Sequence, residues 1–148
     1  MIRKPIRRRT FLAAAAAAVV LPAIPARAIE GVRLGDLYND DLTFSPYALF
    51  LAELVITVEG FMAPPLKAES KFFVLTGVPT AVCPFCDSEA AWPGDIASVY
   101  TSDVISVIPF TYPIRATGTL RLGTYRDEEL GFVSRLRLTE SFYGYGNG

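Results

Sequence analysis

The sequence predicts a mainly β domain: a small antiparallel OB-like barrel of five to six strands with one short helix, placed after a cleavable N-terminal signal peptide. Three observations predict it. The chain has 148 residues and is 51% apolar, the size of one domain with one core. Beyond residue 28, apolar residues come in β-branched runs or at period two, and no long stretch carries a helical period. The formal charge of −1 is split between two unlike pieces. Six of the 14 basic residues and no acid precede residue 29, which leaves eight basic residues against all 15 acids, a net −7, for residues 29–148.

Residues 1–28 read as an export signal. Arg3 to Arg9 is basic, Phe11 to Leu21 is uncharged with six alanines at Ala13 to Ala18, and Pro22 and Pro25 follow. Ala26-Arg27-Ala28 is a small-x-small cleavage site, with the cut expected after Ala28. The apolar run is about half of the ~20 residues that a spanning helix needs, so no stable membrane anchor is expected. Arg8-Arg9-Thr10-Phe11-Leu12 resembles the twin-arginine signal. Arg8, Arg9, Phe11 and Leu12 carry the match, while Arg7 stands where that signal usually has Ser or Thr. The resemblance implies a periplasmic protein that meets the twin-arginine translocase and crosses folded.

Residues 29–142 are expected to form the domain. Ile29 to Thr43 is polar and turn-rich. Ser45-Pro46 is an N-cap with proline at the first helical position, so Tyr47 to Glu53 is expected to be a short helix. Leu54 to Glu59 is β-branched and reads as a strand closed by Gly60, and Phe61 to Pro65 reads as a turn. Lys71 to Thr76 is a second strand. The stretch from Val82 to Asp95 holds both cysteines and Trp92-Pro93-Gly94, so it reads as a loop. Ile96 to Tyr100 and Val104 to Phe110 are both β-branched, and one or both make a third strand. Ile114 to Leu122 alternates, with Arg115, Thr117, Thr119 and Arg121 on its wet face. Tyr125 to Glu129 is a charged hairpin loop, and Phe132 to Leu138 is the fifth strand. Residues 143–148 read as a flexible Gly-rich tail.

The chain has no histidine, which excludes Ser-His-Asp and Cys-His catalysis and any His-ligated metal. Cys83-Pro84-Phe85-Cys86 is the one motif that carries chemistry, and three readings fit it. The pair can act as a redox couple, with Cys83 as nucleophile and Cys86 as resolver. The following Asp87-Ser88-Glu89-Ala90-Ala91-Trp92 is too short for the helix a thioredoxin-type site needs, and its carboxylates disfavour a thiolate. The pair can instead contribute two ligands to zinc or another soft divalent ion, with Asp87, Glu89, Asp95, water or a second chain's cysteine pair completing the set. In the third reading it is a disulfide or thiol pair that pins a tight loop. Arg115, Arg121, Arg135 and Arg137 fall on wet strand faces and read as solvated or paired with acids. The −7 domain disfavours nucleic acid as a partner.

The motifs V-E-G-F-M-A-P-P (Val58 to Pro65), K-F-F-V-L-T (Lys71 to Thr76), the cysteine loop and I-R-A-T-G-T-L (Ile114 to Leu120) together resemble an uncharacterised family. Its members are small exported bacterial proteins with an OB-like domain of unknown function. The resemblance spans about Leu34 to Glu140. In that group the cysteine loop continues with a histidine, whereas Asp87-Ser88-Glu89 stands here, so only Cys83 and Cys86 match a family position. The resemblance implies a binding or accessory protein of an envelope transport or metal-handling system, with an ABC-type transporter component as its partner. It implies no enzymatic activity.

Overall fold

The computed structural model describes residues 27–81 and 94–147. Among them, six strands form one sheet: β1 (Ile29–Arg33), β2 (Val55–Met62), β3 (Phe72–Thr76), β4 (Ile96–Thr101), β5 (Pro113–Arg126) and β6 (Val133–Tyr145). A 3-10 turn (Leu34–Leu37) and a short helix, α1 (Pro46–Leu51), lie between β1 and β2. The strand order is β1-β2-β3-β4-β6-β5, and β5 also pairs with β2. No helix among the described residues is long and apolar enough to cross a membrane.

The sheet is mixed, which corrects the all-antiparallel expectation. β1 runs parallel to β2 and β4 parallel to β6, while the other pairings are antiparallel. Periodicity along a strand tells which side chains face the core, but it carries no information on the direction of the neighbour. Here β5 intervenes in sequence between β4 and β6, so the chain returns to β4 in the direction it left.

The helix starts as its sequence dictates. Ser45 Oγ accepts the Ala48 N–H at 3.1 Å, and Pro46 takes the first turn. The same hydroxyl donates to the Asp36 carbonyl at 2.7 Å, which ties α1 to the preceding 3-10 turn. Ala48 and Leu51 are fully buried beneath it.

Several boundaries move, each for a tertiary reason. Residues 29–43 contribute a strand and a 3-10 turn because Val32, Leu34 and Leu37 bury in the core. β2 does not end at Gly60 but continues to the buried Met62. Gly60 lies inside the strand, where a Cβ would stand 2.6 Å from the Thr76 carbonyl, so its lack of a side chain lets β3 approach. Val104 to Phe110 is not a strand. Its Ile108 packs into the core, with its N–H 3.4 Å from Met62 Sδ. β5 reaches Arg126, and the hairpin turns only at Asp127, whose carboxylate accepts the N–H groups of Glu129 (3.0 Å) and Leu130 (2.9 Å). β6 extends through Tyr145, paired to Ile114, so Tyr143 to Tyr145 is strand instead of loose tail.

The alternation in β5 and β6 is realised. Ile114, Ala116, Leu120, Leu136 and Leu138 are fully buried against Ile56, Val58, Leu75 and Val99. The residues between them face away from this core, and two grooves open there.

Candidate functional site

The two grooves share strand β5. The first, about 360 Å³, is lined by Ala28, Glu30, Thr57, Arg115, Thr117 and residues of the β6 C-terminus. Its charged groups are ion-paired, although Arg115 Nε is buried without a hydrogen bond. Arg115 pairs with both Glu30 and Glu59, and the hydroxyls of Thr57 and Thr117 lie 2.8 Å apart. β2 and β5 set Glu59 opposite Arg115 and Thr57 opposite Thr117, so the pairing follows directly from register.

The second groove, about 460 Å³, is lined by Tyr100, Arg121, Tyr125, Arg137 and Thr139. β4 brings Tyr100, β5 brings Arg121 and Tyr125, and β6 brings Arg137 and Thr139. Arg121 sits directly opposite Arg137 and is neutralised by Glu53. Arg137 has no carboxylate partner among the described residues, and its Nη1 is buried without a hydrogen bond. Its guanidinium lies 4.3 Å from the centre of the Tyr125 ring, a cation–π contact. Burial lowers the Arg137 pKa, because a cation is disfavoured away from water.

Thr139 Oγ1, in the same groove, is also buried with no hydrogen bond. The Tyr100 hydroxyl meets no partner at good hydrogen-bond geometry but faces the Asp127 carboxylate. Burial pushes the Tyr100 pKa well up, and the facing Asp127 carboxylate, by its charge and as an acceptor for the hydroxyl, pushes it further. Tyr100 is therefore a neutral hydroxyl at every ordinary pH. Its ring stacks on Phe72 at 5.3 Å and meets Tyr125 edge-on at 6.1 Å, which holds the hydroxyl in place.

Two irregularities shape the groove. Glu140 and Ser141 of β6 together face Gly118 of β5, and Glu140 takes a left-handed φ of 52°. A second register shift follows Leu122, where Gly123 has φ 109°, and after it Tyr125 lies over Arg137. Bulges of this kind re-aim side chains at binding surfaces.

The expectation that wet-face arginines meet acids or solvent thus holds for Arg115 and Arg121. Arg135 lies 5.3 Å from the Phe44 ring centre, and Arg137 departs from the expectation altogether. The chain signal did not single out Tyr100 or Tyr125. Cys83, Cys86 and Asp87 lie outside the described residues, as do Arg8, Arg9, Phe11, Leu12 and Ala26. Ala28 is described, and it lines the first groove. The cysteine loop departs from a closed base, where the Gly77 N–H donates to the Asp95 carbonyl at 2.8 Å. Among the described residues, no group of three or more Cys, Asp or Glu is placed to hold a metal ion.

No family model matches the chain, and no curated protein matches it. Among solved structures, it is similar to a DUF3299 family protein from Pseudomonas aeruginosa PAO1. The two are 15% identical, over 77% of this chain and 74% of that one, with a TM-score of 0.47.

Proposed function

We propose that this chain is an exported periplasmic binding protein, an accessory of an envelope transport system, that takes a small ligand in the groove of Tyr100, Arg121, Tyr125, Arg137 and Thr139. One observation carries the reading: Arg137 Nη1 and Thr139 Oγ1 line one groove, buried and without a hydrogen bond among the described residues, with the Tyr100 hydroxyl beside them. Buried polar groups are nearly always paired, so such a cluster reads as a set of contacts kept for a ligand.

In this reading β2 to β6 make an OB-type barrel, with β1 added at its edge. The ladder runs from β2 through β3, β4, β6 and β5, and the β5–β2 pairing supports closure of that ring. Export rests on the twin-arginine motif. With both Arg8 and Arg9 changed to lysine, the precursor is expected to stay in the cytoplasm, and cell fractionation reads this. Cys83 and Cys86 serve the loop as a disulfide or a zinc-binding pair.

The test is a small-molecule screen by NMR on protein purified from the periplasm. Binding is expected to shift the resonances of Tyr100, Tyr125, Arg137 and Thr139, and to survive Cys83→Ser with Cys86→Ser. Thiol–disulfide turnover that Cys83→Ser abolishes, with a mixed disulfide trapped by Cys86→Ser, would overturn the reading in favour of an oxidoreductase.

A further inference from the structure

The chemistry of the groove points to the ligand's class. Its open groups are Arg137 Nη1, which can only donate, and the Thr139 hydroxyl, which can donate or accept. The carboxylates nearby are partly engaged, and Asp127 lies on the Tyr100 side of the groove. Asp127 accepts two backbone N–H groups at the hairpin turn, and Glu53 pairs with Arg121. A cationic ligand would meet the Arg137 charge directly, whereas an anion seated at Arg137 and Thr139, away from Asp127, would complete both open groups.

The arginine is also prepared for an anion. Stacking on Tyr125 holds the guanidinium plane, which leaves an N–H edge of fixed direction. A planar fork of that kind matches a carboxylate or phosphate better than a point charge does. Arg121, directly across the ladder, keeps the local field positive even though Glu53 neutralises it in part. Size and charge limit the rest of the ligand. The groove is about 460 Å³, within the range of small-molecule sites, and the −7 domain repels polyanions such as nucleic acid.

We infer that Arg137, with Thr139, forms a receptor for one oxyanion, a carboxylate or phosphate monoester carried by a small molecule. This rests on the binding reading above, and it adds the ligand's charge and the residue that reads it. Tyr125 acts as a positioning residue that holds the arginine.

The test is calorimetric and NMR titration of the exported protein with benzoate, phenyl phosphate and the neutral isostere benzamide. At least one anion is expected to bind in the groove tenfold or more tighter than benzamide. Arg137→Gln should remove that preference, and Arg137→Lys should keep part of it, because the charge stays while the fork is lost. Tighter binding of benzoate assigns a carboxylate, and tighter binding of phenyl phosphate assigns a phosphate ester. If Arg137→Gln does not fold, Tyr125→Leu should lower anion affinity severalfold and leave benzamide unchanged. Equal binding of benzamide and both anions in the groove overturns the oxyanion assignment and leaves the binding reading standing. Failure of all three probes to shift groove resonances overturns both.

Discussion

Two grooves on one sheet face each hold a half-buried arginine, one with carboxylate partners and one without. Around Arg115, register sets carboxylates and hydroxyls opposite their partners, and the guanidinium is ion-paired to two carboxylates although its Nε makes no hydrogen bond. Around Arg137, the neighbours are a second arginine, two tyrosines and a threonine, and the buried donors stay open. The difference teaches that a half-buried arginine is structural or receptive according to what the next strand places across from it. β2 supplies Glu59 to the first, whereas β5 supplies Arg121 to the second.

The sharpest way to break the comparison is to disturb the strand both grooves share. Gly118 lies between them on β5, and a Cβ there would stand 2.8 Å from the Thr139 carbonyl and press on Ser141. Gly118→Ala is expected to cost about 1–3 kcal/mol, the range for overpacking a well-filled site, read as a lower urea midpoint. The groove resonances of Tyr125 and Arg137 should move with it.

Removing the satisfied arginine should cost less. Arg115→Met leaves Glu30 and Glu59 without their cation, and the network's partial exposure limits the loss to about 1 kcal/mol or below. The loss should shrink in high salt.

A pH series separates the grooves further. The folded state holds the Tyr100 hydroxyl neutral above its ordinary pKa of 10.0. Between that value and the folded pKa, the unfolded chain binds fewer protons than the folded one, so stability falls as pH rises. The contribution is therefore full below about pH 10 and lost above it. Tyr100→Phe should flatten this alkaline decline, measured as the urea midpoint at pH 9 and pH 11. An unchanged decline in the variant would show that the hydroxyl is not held neutral by its site.

The smallest effect is expected at Arg137 itself. Arg137→Met removes a cation that burial disfavours and fills the space with an apolar chain, so unliganded stability should change by no more than about 0.5 kcal/mol or rise. A loss larger than that of Arg115→Met would make Arg137 a structural residue and erase the contrast.

Much of the fold was legible along the chain. Alternation in Ile114 to Leu122 and in Phe132 to Leu138 located the buried faces, because a side-chain period of two leaves one face for the core. The Ser45-Pro46 pair marked the start of α1, because capping is a local contact. Gly60 misled, because a glycine that admits a neighbouring carbonyl looks the same in sequence as one that ends a strand. The candidate groove was half legible. Arg121 and Arg137 stood out on wet faces, but Tyr125 sat in what looked like a charged loop, and Tyr100 gave no signal.

By itself, the sequence determined a mainly β chain with a cationic N-terminal stretch, the faces of its alternating strands, the cap of its helix and the absence of histidine chemistry. These follow from composition and from contacts within a few residues. Tertiary structure alone decided that β4 and β6 run parallel, that the register shift at Gly123 brings Tyr125 over Arg137, and that Arg121 instead of a carboxylate faces Arg137. Strand direction and register are set by pairings across dozens of residues, and no local pattern encodes which charge will stand opposite which.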